Sequence, residues 1–294
     1  MGETPSREQI AEHFREIQDR VVGALARIDP RPFREDRWDR PGGGGGRTRV
    51  LEGGEVLERA GVNFSEVHGE LSPQFAATLP GDGLAFYATG VSLVLHPRNP
   101  FAPTVHANFR YFEKGTVSWF GGGSDLTPSY LFDEDALHFH AVLRAACDRH
   151  DPRYYRDFKK ACDDYFLIAH RGERRGIGGL FFDYLQGDRQ ALFDFVRDVS
   201  GAFLPAYLPI LERRMGMPYA STHRDWQLLR RGRYVEFNLV YDRGTAFGLK
   251  TDGRVESILM SLPAEAHWAY AHEPSPGSEE ARLVEVLRAP KDWI

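Results

Sequence analysis

Apolar side chains recur every three or four positions at Ile10, Phe14, Ile17, Val21, Leu25 and Ile28, which predicts an amphipathic helix over residues 6–29. Beyond it the period shortens to two. "RVLEGGEVLERAGV" reads as a hairpin turning at Gly53-Gly54, and "LAFYATGVSLVLH", "TVHANFRYFE" and "TVSWFGG" alternate as strands, with a turn at Glu113-Lys114-Gly115. Helical spacing returns over 133–150, 152–170 and 188–215, with "GIGGLFFDYL" between them as a further strand. "RYVEFNLVYDRGTAFGLK" alternates again and predicts two strands joined at Asp242-Arg243-Gly244, and a last helix is expected near 278–289. Neighbouring hairpins with helices in separate blocks, no repeat and no dividing linker predict one α+β domain over residues 1–294, a large antiparallel sheet flanked by helices.

The alternation also sorts side chains onto faces. In "TVHANFRYFE", His106, Asn108 and Arg110 share one face, while Val105, Ala107, Phe109 and Tyr111 share the other. Ser92, Val94 and His96 fall on one face of their strand, and Tyr234, Glu236 and Asn238 on one face of theirs. A solvated sheet surface is normally richer in Lys, Glu and Thr than in His, Asn and Ser, so these faces read as a polar pocket floor under covering helices.

Composition narrows the classes. A net charge of −5 argues against a nucleic-acid surface, and no run of about 18 apolar residues suggests a membrane span. Cys147 and Cys162 have no CxxC spacing, which fits a reducing compartment, and the expectation is a soluble, cytoplasmic protein. "MGETPS" matches a loose myristoylation pattern at Gly2 and Ser6, but Thr4-Pro5 reads as the start of a helix. Among 37 basic residues only five are Lys, and the planar fork of Arg suits carboxylate clamps.

Several motifs carry candidate chemistry. "PGGGGGRTRV" is either a flexible linker or a loop whose bare backbone covers a ligand. His138 and His140 lie about 200° apart on a helix and cannot chelate one ion together. His223-x-Asp225 with His267 imitates the two-His, one-carboxylate set of non-haem iron oxygenases, on what reads as a polar connection. "GGGSD" and "RGIGGLF" lack any phosphate-loop spacing, and no GxSxG elbow is present.

Read together and in order, "GGGGGRTRV", "AGVNFSEVHGE", "GVSLVLHPRNPFAPTVHANFRYFE", "WFGGGSDLTPSYLFDEDALHFH", "RGIGGLFFDYL", "YLPILERR" and "GRYVEFNLVYDRGTAFGLKTDGRVESILMSLP" resemble the oxygen-dependent coproporphyrinogen III oxidases. The resemblance runs from about residue 10 to the C-terminus. It implies aerobic oxidative decarboxylation of two propionates of coproporphyrinogen III to vinyl groups, giving protoporphyrinogen IX. Dioxygen is then the co-substrate, and no organic cofactor is implied. Asp125 corresponds to a carboxylate facing the pyrrole nitrogens, behind Gly121–Gly123, and His106 to a proton donor. Ser92, Asn108, Phe109, Arg110 and Asp252-Gly253-Arg254 correspond to substrate-binding positions, with Arg110 as the first propionate clamp. A divalent metal held by histidines maps onto His96, His106, His140 and His170, beside a metal-free alternative. A homodimer is implied, with its contact around 234–269. Two departures from the family pattern stand out: Ser124, expected to add a hydrogen bond near the pyrroles, and Asp252, expected to pair with Arg254 or weaken a propionate contact there.

Overall fold

The computed structural model describes residues 4–250 and 254–294, apart from the side chains of residues 247 and 250. Helix α1 (Arg7–Leu25) starts at a capping box in which the Ser6 hydroxyl accepts from the Gln9 amide and the Gln9 side chain accepts from the Ser6 amide. Ser6, one residue beyond Thr4-Pro5, is therefore the cap, and Gly2 lies outside the described residues.

The sheet then builds by successive antiparallel neighbours: β1 (Arg34–Asp39), β2 (Gly44–Glu52) and β3 (Leu57–Glu70), followed by the single turn α2 (Pro73–Ala76). Strands β4 (Ala85–Pro97), β5 (Thr104–Lys114) and β6 (Val117–Thr127) continue it. Helices α3 (Asp133–Asp148) and α4 (Tyr154–Tyr165) and the short hairpin β7 (Leu167–Ile168) and β8 (Glu173–Arg174) precede β9 (Gly179–Leu185), which closes the seven-stranded sheet beside β6. The glycine run is neither linker nor free loop. Gly45 and Gly46 pair on both sides and Gly44 with β3, and a Cβ on Gly45 would stand 2.3 Å from the Trp38 carbonyl oxygen.

One face of the sheet carries the apolar half of the alternation. Val62, Phe64, Val91, Leu93, Val105, Ala107, Phe109, Tyr111 and Phe120 pack into one core with α1, α3, α5 (Arg189–Gly201) and α6 (Phe203–Arg214). The expected 188–215 helix is thus two helices, meeting at Ala202. Burial of so many large side chains at ~25 cal/mol per Å² is the main stabilising term of this layer.

The second face is covered differently from expectation. Residues 233–250 are not strands: α7 (Ser221–Val240) and α8 (Arg243–Lys250) are helices, followed by α9 (Val255–Leu259) and, near the C-terminus, α10 (Glu279–Arg288). "STHRDWQLLRRGR" lies within α7 from its first residue rather than in a connection. The misleading signal has a physical source. Trp226, Arg230, Tyr234 and Asn238 recur every four residues on the buried side, but two of the four are polar. Meanwhile Leu239 and Val240, which complete the apparent alternation, are exposed. Arg230 and Arg231 are tolerated inside because they meet Glu173 and Glu58.

Candidate active site

Strand register assembles the site row by row. Asn63, Ser92, Asn108 and Gly123 are aligned across β3, β4, β5 and β6; Val94, His106 and Asp125 form the row on one side of them, and Gly90, Arg110 and Gly121 the row on the other. These rows floor a cavity of about 660 Å³, whose other walls come from Tyr165, Phe166, Arg175, Phe181 and Asp183 and from Asn238, Asp242, Arg243 and Met260. A polar floor roofed by helices is the arrangement the alternation predicts. The size lies within the range of small-molecule sites.

Asp125 is buried in this floor. His106 Nδ1–H donates to its Oδ1 at 2.8 Å, and Arg175 Nη2 reaches both oxygens at 2.9 and 2.7 Å. Burial pushes the Asp125 carboxyl up, but the Arg175 charge and the His106 hydrogen bond outweigh it and hold the group below the usual carboxylate range. Arg175 is itself buried; burial pulls its pKa down, and Asp125 more than restores it. Its Nη1 donates to Asn238 Oδ1 at 2.7 Å, and its guanidinium lies 4.1 Å from the Phe166 ring centre and 4.6 Å from that of Tyr234. The turn carrying Arg175 is pinned to α7 by Glu173, which accepts from Arg230 at 2.8 Å.

Sequence reasoning did not single out Arg175, although the excess of Arg over Lys and "RGERRG" between two apolar segments were its available signals. Asn63, Asp183 and Arg243 were missed as well, because they reach the pocket from segments far apart in the chain, while Asn238, expected on a strand of the floor, enters from helix α7.

The other expected positions divide. Ser92, Asn108 and Arg110 face the cavity, and Arg110 Nη1 donates to Asn108 Oδ1 at 2.9 Å. Phe109 belongs to the opposite face and the core, so its side chain is not a pocket wall. Arg254 pairs with Asp36 of β1, while Asp252 and Gly253 lie outside the described residues. Ser124 pairs across from Ala107 on the core side, and its buried hydroxyl has no partner among the described residues. It therefore adds nothing near Asp125's side of the sheet. Gly123 does more than clear space for a ligand: at φ 156° a Cβ there would lie 1.9 Å from the Leu180 carbonyl oxygen. Cys147 and Cys162 are free and buried; burial pushes the Cys147 thiol up to about 12 and Cys162 well above its ordinary value.

The four histidines do not fit one shared ion. His96 Nε2–H donates to the Ser261 carbonyl at 2.9 Å and its Nδ1 faces Thr104 Oγ1 at 3.2 Å. His140 Nε2–H donates to the Ile177 carbonyl at 3.2 Å while its Nδ1 accepts from Tyr155 Oη at 3.0 Å. His170 is held by Tyr241 and Glu236, each at 2.7 Å. Only His106 lines the cavity. Among the described residues no three His, Cys, Asp or Glu side chains converge as a metal site, and of the four mapped histidines one faces the pocket while the other three lie outside it, hydrogen-bonded to neighbours. The iron-oxygenase set disperses too: His223 Nδ1 accepts from the Ala220 amide and His267 sits beside Glu265.

His96 and His140 give a stability prediction. Burial pushes both down to about 3, so both are neutral in the fold, whereas in the unfolded chain they take up a proton near pH 6.5. Between those values the unfolded state binds more protons. Stability should therefore be full above about pH 6.5 and fall on acidification, by up to ~1.4 kcal/mol per pH unit for each histidine. Urea midpoints between pH 7.5 and 5 should show this slope, and His140→Gln should flatten it; an unchanged slope would remove His140 as a contributor.

A family profile described as Coproporphyrinogen III oxidase matches residues 9–293. The chain belongs to the coproporphyrinogen III oxidase family. The oxygen-dependent coproporphyrinogen-III oxidase of Glycine max, named chloroplastic, is 52% identical over 309 residues, spanning 99% of this chain and 80% of the relative. The Drosophila melanogaster oxygen-dependent coproporphyrinogen-III oxidase is 55% identical over 277 residues, with 89% and 71% covered. The Rattus norvegicus protein of that name, mitochondrial, is 54% identical over 296 residues, with 95% and 67% covered. No described helix is long and apolar enough to cross a membrane.

Proposed function

We propose that this chain carries out aerobic oxidative decarboxylation of two propionate side chains of coproporphyrinogen III to vinyl groups, giving protoporphyrinogen IX, within the family's pocket described above. The observation that carries the residue roles is the His106–Asp125–Arg175 cluster in the cavity floor. Each conversion of –CH2–CH2–COO⁻ to –CH=CH2 releases carbon dioxide, one proton and two electrons. Dioxygen accepts those electrons, so the balance calls for no organic cofactor.

Among the described residues Asp125 Oδ2 accepts only from Arg175, which leaves it a lone pair for a pyrrole N–H. Because Arg175 keeps the carboxylate ionised and a weak base, Asp125 polarises that N–H and stabilises the positive charge that builds on the pyrrole as dioxygen attacks. His106, with Nδ1 committed to Asp125, keeps Nε2 to exchange protons with the bound oxygen species. Arg110, in the same floor, binds a propionate.

A homodimer joined through 234–269 is part of the proposal, supported by Leu239, Val240, Leu249, Val255, Trp268 and Tyr270, large apolar side chains exposed on this stretch and its edge. A reducing, cytoplasmic setting is proposed on the two free, buried thiols.

The test is an anaerobically prepared coproporphyrinogen III reaction started by oxygen, on metal-stripped protein with residual metal quantified. Protoporphyrinogen with two carbon dioxide released is the expected result. Turnover only after a divalent ion is restored would overturn the reading of the histidines, and binding without turnover would make the chain a tetrapyrrole carrier.

A further inference from the structure

Asp183 stands at the pocket wall with its carboxylate already on a guanidinium. Arg110 Nη2 lies 2.7 Å from Asp183 Oδ1, and Arg243 Nη2 lies 3.8 Å from Oδ2. Three local features aim this side chain. The β6–β9 register slips between Phe120 and Gly122, so β9 is irregular where it carries Asp183. The next residue, Tyr184, takes a left-handed backbone at φ 51°, rare for a residue other than glycine, and its N–H donates to Asp183 Oδ1 at 3.0 Å. Gly121 leaves the space that the ion pair fills: a Cβ there would lie 2.8 Å from both Arg110 Nη2 and Asp183 Oδ1.

We propose that Asp183 is an internal competitor for substrate carboxylate: it holds Arg110, opposite Arg243, where a propionate of the tetrapyrrole binds, and so limits how tightly the substrate is held. This rests on the reading of Arg110 as a propionate clamp. The pair is exchangeable because it is only half-buried, with side-chain exposures of 35% and 18% for Arg110 and Asp183. Partly exposed ion pairs of this kind are weak. The chemistry gives the competitor a use. A propionate converted to an uncharged vinyl no longer pairs with Arg110, and Asp183 takes the arginine back. One molecule must present two propionates in turn, so a clamp that lets go between them serves the reaction better than a permanent one. Arg243 lies 4.9 Å from the Tyr165 ring centre and 5.8 Å from that of Phe181, which places a second guanidinium across the same carboxylate.

Asp183 is thus a positioning residue, and its loss should tighten binding, which loss of a structural ion pair would not do. Asp183→Asn and Asp183→Ala, in the full chain, are titrated with coproporphyrin III, the aromatic and unreactive tetracarboxylate, by fluorescence, and assayed with coproporphyrinogen III. Kd and KM should fall about fivefold while kcat does not rise. Asp183→Glu, which keeps the carboxylate, should stay near wild type. Equal or weaker binding in both neutral variants, or failure of both to fold, makes Asp183 a structural partner of Arg110 and overturns the proposal. Wild-type turnover is measured in the same series: its absence fails the parent reading, whereas turnover with unchanged binding by the variants fails this inference alone.

Discussion

Asp125→Asn should lower kcat by about 10²–10³-fold, the range that one preorganised electrostatic group contributes, while KM moves far less. The substitution keeps the shape of the side chain and removes its charge. With the carboxylate gone, the pocket floor no longer stabilises positive charge on a pyrrole, and Arg175 becomes the dominant charge beneath the substrate. His106 Nδ1–H is left facing a neutral amide in place of the charged carboxylate that holds its tautomer. Single-turnover measurements at saturating substrate separate this chemical loss from weakened binding. Near-full turnover in the variant would remove Asp125 from the mechanism, since nothing else in the floor offers a buried carboxylate among the described residues.

Arg175→Met carries the second large effect, on stability as well as activity. Removing one partner of a buried ion pair typically costs about 3–5 kcal/mol, because the other charge stays inside without compensation. Here the stranded group is Asp125, left with His106 alone, and Asn238 loses the donor to its Oδ1. The urea midpoint should fall accordingly, and turnover with it. Arg175→Met combined with Asp125→Asn should regain part of the stability, since the pair is then replaced as a unit, but none of the turnover. A single variant as stable as the wild type would mean that Asp125 is solvated through the cavity and that Arg175 does not set its charge.

The cavity floor was legible in the chain because strands write their faces at a fixed period of two. His106, Asn108 and Arg110 could be placed on one side of β5 and Phe109 on the other before any tertiary structure was known, and the structure keeps that division. It also shows why the family match at Phe109 does not translate into a pocket side chain. The same period accounts for Ser124, which neighbours Asp125 in the chain and lies on the opposite face of the sheet.

The roof could not be read in this way. A helix that buries arginine and asparagine on one side and exposes leucine and valine on the other carries no usable apolar stripe, and α7 imitates a strand at the point where it matters. Its arginines are inside only because Glu58 and Glu173 come to meet them from β3 and β8.

The alternation of residues along the chain by itself determined the antiparallel sheet, its two faces and the side chains that floor the pocket, because backbone geometry alone dictates where successive Cβ atoms point. What only the tertiary structure decided is which charges meet. Asp125 and Arg175 are 50 residues apart, Arg110 and Asp183 come from strands on opposite sides of β6, and the histidines expected to share an ion are each held elsewhere. Ion pairing depends on distance and burial, and both are properties of the packed chain.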